Sequence, residues 1–287
     1  MKETAMSNDN EKLIMFAGDL PAMPMVATKV MQLIEDERVT AEELAKVVSS
    51  DPAMTARIMK ISNSAFYGCQ RQVQTLPGAI MLLGFNTLKS LVIVASVKEV
   101  YKTFGLTENM LWEHSFGAGL AARIIAREIR SVNPEEAFLA GLLEDIGKII
   151  LYNHDRKKFQ LIIERCYNEC IMFEDAEKAV FPFTHSKVGG YILKKWNLPE
   201  VLVTAVTQHH TFDFPDPEDY YQCSMTAIAS LADLFCVKLG IGERMPRMEL
   251  SLTGSMAARL LKLDDDLLAR LLDEFEENYE QNKNYFN

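Results

Sequence analysis

Along most of the chain, apolar residues recur every three or four positions, the spacing that lines them up on one face of an α-helix. In PMVATKVMQLIED, Val26, Val30, Leu33 and Ile34 fall on one stripe. TAEELAKVVSS opens with Thr40 and has Glu43 three residues on, a capping-box pattern ahead of an apolar run. DPAMTARIMKISNSAFYG puts Pro52 at a first helical position and stops near Gly68. TLPGAIMLLG predicts a short helix ending at Gly84, and FNTLKSLVIVASVKEVYKTFG a long one with an apolar, buried centre.

The same period continues in longer segments. It predicts helices over 107–129, over 134–154 (PEEAFLAGLLEDIGKIILYNH), over a charged stretch at 155–170 and over a short one near 174–180. Further helices are expected in HSKVGGYILKKW, in PEVLVTAVTQHH and within DPEDYYQCSMTAIASLADLFCVKLG. The tail is an acidic amphipathic helix with Leu267, Leu268, Leu271, Leu272 and Phe275 along one side, expected to pack on the body of the protein. No pair of segments alternates as strands do, and no internal repeat is evident, so the predicted fold class is all-α. A seam near 104–108 divides the expected organisation. Residues 1–17 form a polar lead-in, 18–105 a smaller N-terminal helical lobe, 106–240 a larger helical lobe, and 241–287 a C-terminal helical extension. No Pro/Gly/Ser-rich linker separates the lobes, so they are expected to pack together.

Composition narrows the function classes. At 48% hydrophobic and 24% charged the 287 residues are ordinary globular material. The net charge of −10 argues against a nucleic-acid partner, which favours a basic face. No run of about 18 consecutive apolar residues occurs, and MKETAMSNDNEK lacks the basic start and apolar core of an export signal. The expectation is a cytoplasmic protein with no membrane partner. Five cysteines, Cys69, Cys166, Cys170, Cys223 and Cys236, are an odd number in a large chain and read as reduced thiols. Cys166 and Cys170 share a helix face and read as packing.

Candidate chemistry concentrates in the second lobe. It holds all five histidines: His114, His154, His185, His209 and His210. In AGLLEDIGK, Glu144 and Asp145 stand inside an apolar stretch, and a buried carboxylate needs a proton, an ion pair or a metal. Asp233 stands in a similarly apolar helix, where an ion pair with a lysine, a helix cap and a metal are all open. Imidazoles and carboxylates spread over several helices of a bundle can form a site for iron, manganese or zinc. Neighbours on a helix point about 100° apart. His209 and His210 therefore act together only if the helix ends there or two ions sit side by side. Thr211, Phe212 and Pro215 predict such an end. His154, beside Asp155 and Arg156, reads as a surface residue.

Taken in order, WxHS, AGLLxDIGK, a later histidine, HH and an aspartate in an apolar helix resemble the HD superfamily of metal-dependent phosphohydrolases. The N-terminal text LPAMPMVATKVMQLIED, DPAMTARIMKISNSAFYG and TLPGAIMLLGFNTLKSLVI, with WNLPEVLVTAVTQHH further on, resembles the HDOD family, the HD-related output domain of bacterial signalling proteins, over roughly 18–240. This resemblance implies a helical bundle of the HD type with a smaller N-terminal lobe. It carries the metal ligands over to His114, Glu144, Asp145 and Asp233, with His185, His209 and His210 in the order of further histidines found in relatives. Lys148 matches a lysine that such relatives place near substrate phosphate, although a helix ion pair with Glu144, four residues earlier, is an equal alternative. Glu144 replaces the histidine of the HD pair, and HHTFDFPDP lacks the glycine-tyrosine-proline segment of cyclic-di-GMP phosphodiesterases. A carboxylate-rich donor set favours iron or manganese over zinc, in one or two ions. The family's usual behaviour implies a signalling output protein, weakly active or silent as an enzyme, that meets a partner protein. The alternative is an active phosphohydrolase acting on a nucleotide or other phosphate ester. NSAFYGCQRQVQT, with Phe66 and Tyr67, reads as a helix stop, with a partner contact as the alternative.

Overall fold

The computed structural model describes residues 22–36, 38–63, 73–101, 105–169, 171–214, 216–242 and 245–286. The lead-in at 1–17, Phe66 to Cys69, Cys170 and Pro215 lie outside the described residues. Every regular element is a helix; among the described residues there is no strand. The all-α fold class holds.

Five helices come first: α1 (Met25–Ile34), α2 (Ala41–Val48), α3 (Pro52–Ser62), α4 (Leu76–Leu83) and α5 (Phe85–Val100). Their starts follow the sequence signals. Thr40 and Glu43 close the expected capping box. The Asp51 side chain accepts from Met54 N at 3.0 Å ahead of Pro52. Gly84, at φ 81°, ends α4 and turns the chain sharply into α5. α5 carries Leu88, Leu91, Val92, Ile93 and Val97 fully buried, because it packs against α1, α3 and α4 and also against α7 (Pro134–Leu143).

α6 (Leu106–Ile129) runs through the centre, buried from His114 to Ala126. Around it stand α7, α13 (Tyr220–Leu239) and α15 (Asp265–Phe286). The remaining helices are α8 (Ile146–His154), α9 (Arg156–Glu169), α10 (Phe173–Lys178), α11 (His185–Lys195), α12 (Glu200–Gln208) and the short α14 (Met256–Leu260), which periodicity did not predict. α11 lies on α8 and α12, and α12 on α13. α13 is long and apolar enough to cross a membrane by length and composition, but it is largely buried inside this bundle. α15 packs on α6 through Leu268, Leu271, Phe275 and Tyr279, all buried, as the tail pattern predicted.

One element departs from the reading. The helix expected over 134–154 is two helices, α7 and α8, parted at Glu144 and Asp145, where Asp145 takes φ −99° and ψ 9°. The apolar spacing runs on through the break, so periodicity alone does not show it.

Candidate metal centre

Six elements converge on one buried point. α6 supplies His114 from its middle, and the α7–α8 break supplies Glu144 and Asp145. His185 comes from the first turn of α11, His209 and His210 from the end of α12, and Asp233 from the middle of α13. All but His210 are buried. The end of α12 at Gln208 is what lets both adjacent histidines face inward, as the turn residues after them predicted.

These side chains form two donor groups. In the first, His114 Nε2 lies 3.1 Å from Asp233 Oδ1, 3.4 Å from Asp145 Oδ2 and 3.5 Å from Glu144 Oε1. In the second, His185 Nε2 lies 3.4 Å from His209 Nε2 and 3.2 Å from His210 Nε2. Asp145 joins them. While Oδ2 faces His114, Oδ1 lies 3.2 Å from His185 Nε2. Glu144 therefore belongs to the cluster; it does not point to Lys148 or solvent. Lys148 Nζ bonds Asp145 Oδ2 at 2.5 Å instead. Both Glu144 oxygens stay without a hydrogen bond, so the four-residue pair with Lys148, one of the two alternatives read from the sequence, is not formed.

The ring tautomers are fixed from behind. His114 Nδ1 donates to the Ile241 carbonyl at 3.2 Å and His209 Nδ1 to the Val206 carbonyl at 2.7 Å. His185 Nδ1 donates to Glu177 Oε2 at 2.7 Å, and the same oxygen accepts from His185 N at 3.0 Å. A neutral imidazole with its proton on Nδ1 turns the Nε2 lone pair forward, the arrangement of metal-ligating histidines whose far nitrogen is held by a carboxylate or carbonyl. Facing Nε2 lone pairs at 3.4 Å repel unless a cation stands among them. Both Glu144 oxygens and Asp145 Oδ1 are buried without a hydrogen bond. Donor atoms with no hydrogen to share, convergent and oriented, fit divalent cations in both groups.

The electrostatics point the same way. Burial alone would lower the His114 imidazole, but its bond to Asp233 and the nearby carboxyl groups of Glu144 and Asp145 hold it well above its ordinary value. Burial, with the charges of Asp233 and Asp145, pushes Glu144 well up. Asp145 goes the other way: burial opposes its charge, but Lys148, His185 and His114 hold it far below the carboxylate range. Burial and the neighbouring imidazoles push His209 well down and His210 to about 4. One group thus attracts positive charge, and in the other His209 and His210 are kept neutral and ready to coordinate.

A family comparison settles where this chain belongs: the HDOD domain family matches residues 20–212. The chain is an HDOD protein. An uncharacterised protein of Treponema pallidum (strain Nichols) is 22% identical over 235 residues, 81% of this chain and 46% of its own length. The HDOD chain thus spans less than half the length of that curated relative. An HDOD domain protein of unknown function from Geobacter sulfurreducens superposes with TM-score 0.81 at 24% identity, over 100% of this chain and 99% of that one. A Shewanella amazonensis SB2B protein, provisionally described as a metal-dependent phosphohydrolase, gives TM-score 0.68 at 18% identity, over 98% of this chain and 100% of its own. At these identities the likeness shows the fold alone, an all-α bundle.

Each residue singled out from sequence, His114, Glu144, Asp145, His185, His209, His210 and Asp233, lies in one of the two groups, with Lys148 at their edge. His154 is exposed at the end of α8 and takes no part. Sequence reasoning missed Glu177, fully buried behind His185. It stands in FEDAEK among three other charged residues, and only its neighbourhood in the fold distinguishes it.

Proposed function

We propose that this HDOD protein is a bacterial signalling protein whose bundle binds a pair of divalent metal ions and, through them, a phosphate ester. The observation that carries the reading is Asp145, whose two carboxylate oxygens face one donor group each. His114, Glu144, Asp145 and Asp233 would hold one ion; Asp145, His185, His209 and His210 the other. The oxygen-rich first group suits iron or manganese, and the imidazole-rich second accepts iron readily. When bound, such ions supply Lewis-acid polarisation of phosphoryl oxygen and activation of water.

The chain's own residues supply the rest. Glu177, the Ile241 carbonyl and the Val206 carbonyl hold three imidazoles in the coordinating tautomer. Lys148 has three donors, one engaged by Asp145, and reaches a cavity beside the donor groups, where it would bind phosphate. Signalling follows from the behaviour implied by the family: a ligand held at this site would bias the bundle toward or away from a partner protein. Hydrolysis of the ester is the second reading, favoured by Lys148 standing at the same cavity as His114 and Asp145.

Elemental analysis of protein purified anaerobically without an affinity-column metal tests the centre. Near-stoichiometric iron or manganese is expected. Asp145→Asn should lose metal from both groups and lower the melting temperature, because binding to the native state is linked to folding. His210→Ala, at the least buried ligand, should lose metal with the fold intact. Wild-type metal content and melting in both variants would sink the reading.

A further inference from the structure

A cavity of about 330 Å³ opens beside the donor groups, with His114, Asp145 and Lys148 at one end. That volume is at the lower end for small-ligand pockets. Its walls are Met110 and Leu111 of α6, Phe159 and Ile163 of α9, and Phe173 at the start of α10. None of these side chains offers a hydrogen-bonding group stronger than a thioether. The inner cation is Lys148, whose Nζ also sits 4.6 Å from the centre of the Phe173 ring. Arg247 lines the cavity from the segment after α13. The other polar lining groups are the half-buried Thr107 hydroxyl and Cys166 thiol and the exposed Tyr167 and Glu249, and the Tyr167 hydroxyl already donates to Met245 Sδ at 3.1 Å.

The chamber is thus charged at one end and hydrocarbon along its sides. A phosphate at the charged end meets Lys148, His114 and Asp145, and whatever it carries lies largely against apolar side chains. A nucleobase lying against those five wall side chains would bury an edge of donors and acceptors with fewer partners than it has in water, a cost that selects against it. An alkyl or aryl body gains from the same walls. We infer that the cavity selects phosphate esters of apolar alcohols over nucleotides, with Lys148 binding the phosphate and Met110, Leu111, Phe159, Ile163 and Phe173 enclosing the apolar body. The phosphate end rests on the metal reading given above; the apolar end rests on the cavity walls alone.

Calorimetric titration of the full chain, manganese-loaded and metal-free, with inorganic phosphate, butyl, hexyl and octyl phosphate and adenosine monophosphate separates the two. Affinity is expected to rise about fourfold per added methylene while the chain still fits, with octyl phosphate well above adenosine monophosphate. Ile163→Asn, at a half-buried wall position, should flatten the series while metal content stays at the wild-type level. Lys148→Met should weaken every phosphate ligand by a similar factor and leave the chain-length slope intact. A chain-length series that holds in a protein unable to take up metal supports the apolar chamber and removes the metal reading. A flat series, adenosine monophosphate binding at least as tightly as octyl phosphate, or no alkyl phosphate binding to metal-loaded protein would overturn the inference and leave the metal centre standing.

Discussion

Glu177 shows how much of this site depends on a single side chain outside any motif. Its Oε2 accepts two hydrogen bonds from His185, one from the ring and one from the backbone, and both residues are fully buried. A carboxylate behind a metal-ligating imidazole fixes the ring and raises its basicity. Glu177→Gln keeps the shape but removes the charge. Metal affinity, read by competition with a chelator, is expected to fall about 10–100-fold, while melting of the chelated protein changes little by comparison. Equal affinity for wild type and variant would make Glu177 a packing residue. The sequence marks His185 by its place in the order of histidines, but nothing in FEDAEK marks the partner eight residues before it.

The break between α7 and α8 makes the site at the level of elements. A continuous helix over 134–154 would point Glu144 and Asp145 about 100° apart; the turn at Asp145 brings both into the cluster. The break is held by close packing with no room for a side chain at Gly147, where an added Cβ would fall 1.9 Å from the His185 carbonyl oxygen. Gly147→Ala must therefore push α8 away from α11, carrying Asp145 away from His185. A loss of about 1–3 kcal/mol is expected in urea denaturation, together with lower metal content. Undiminished stability would show that the two helices can part freely. Gly242, at φ 71°, plays a related part behind His114: a Cβ there would come within 2.5 Å of the His114 Cβ, beside the Ile241 carbonyl that orients the ring. Helix starts, by contrast, were legible at Thr40 and Pro52, because such signals act within one turn of chain.

At the scale of the molecule, the early helices reach the bundle close to the site. Tyr101, just after α5, bonds Ser115 Oγ at 2.9 Å, next to His114, and packs edge-on to Trp112. Lys98 lies over the same indole at 5.3 Å. Burial, then the charges of Arg57 and Lys60 on α3, push the Lys98 ammonium from its ordinary 10.5 down to about 8. Below about pH 8 the lysine is charged in both folded and unfolded chains, and the cost of holding that charge is fully present. Between about 8 and 10.5 the unfolded chain binds more protons, so stability rises with pH across that window. Lys98→Met should therefore melt higher than wild type below pH 8, with the gap closing by about pH 10.5. A gap independent of pH would mean that packing, not charge, separates the two proteins.

The sequence by itself determined what is local or periodic: most of the helices, the Thr40 capping box and the Pro52 start, the burial of the tail stripe, and the seven side chains to look for at one candidate site. Each of these is written within a few turns of chain or in the order of unusual side chains. The tertiary structure alone decided the helix break at Asp145, the grouping of donors around the two oxygens of that carboxylate, the pairing of Lys148 with Asp145, and the place of Glu177. Those features depend on contacts between residues far apart in the chain, such as His114 with Asp233, or on backbones too close to admit a Cβ, as at Gly147 and His185. Periodicity cannot carry that information, because the same apolar spacing fits a helix that continues and one that breaks.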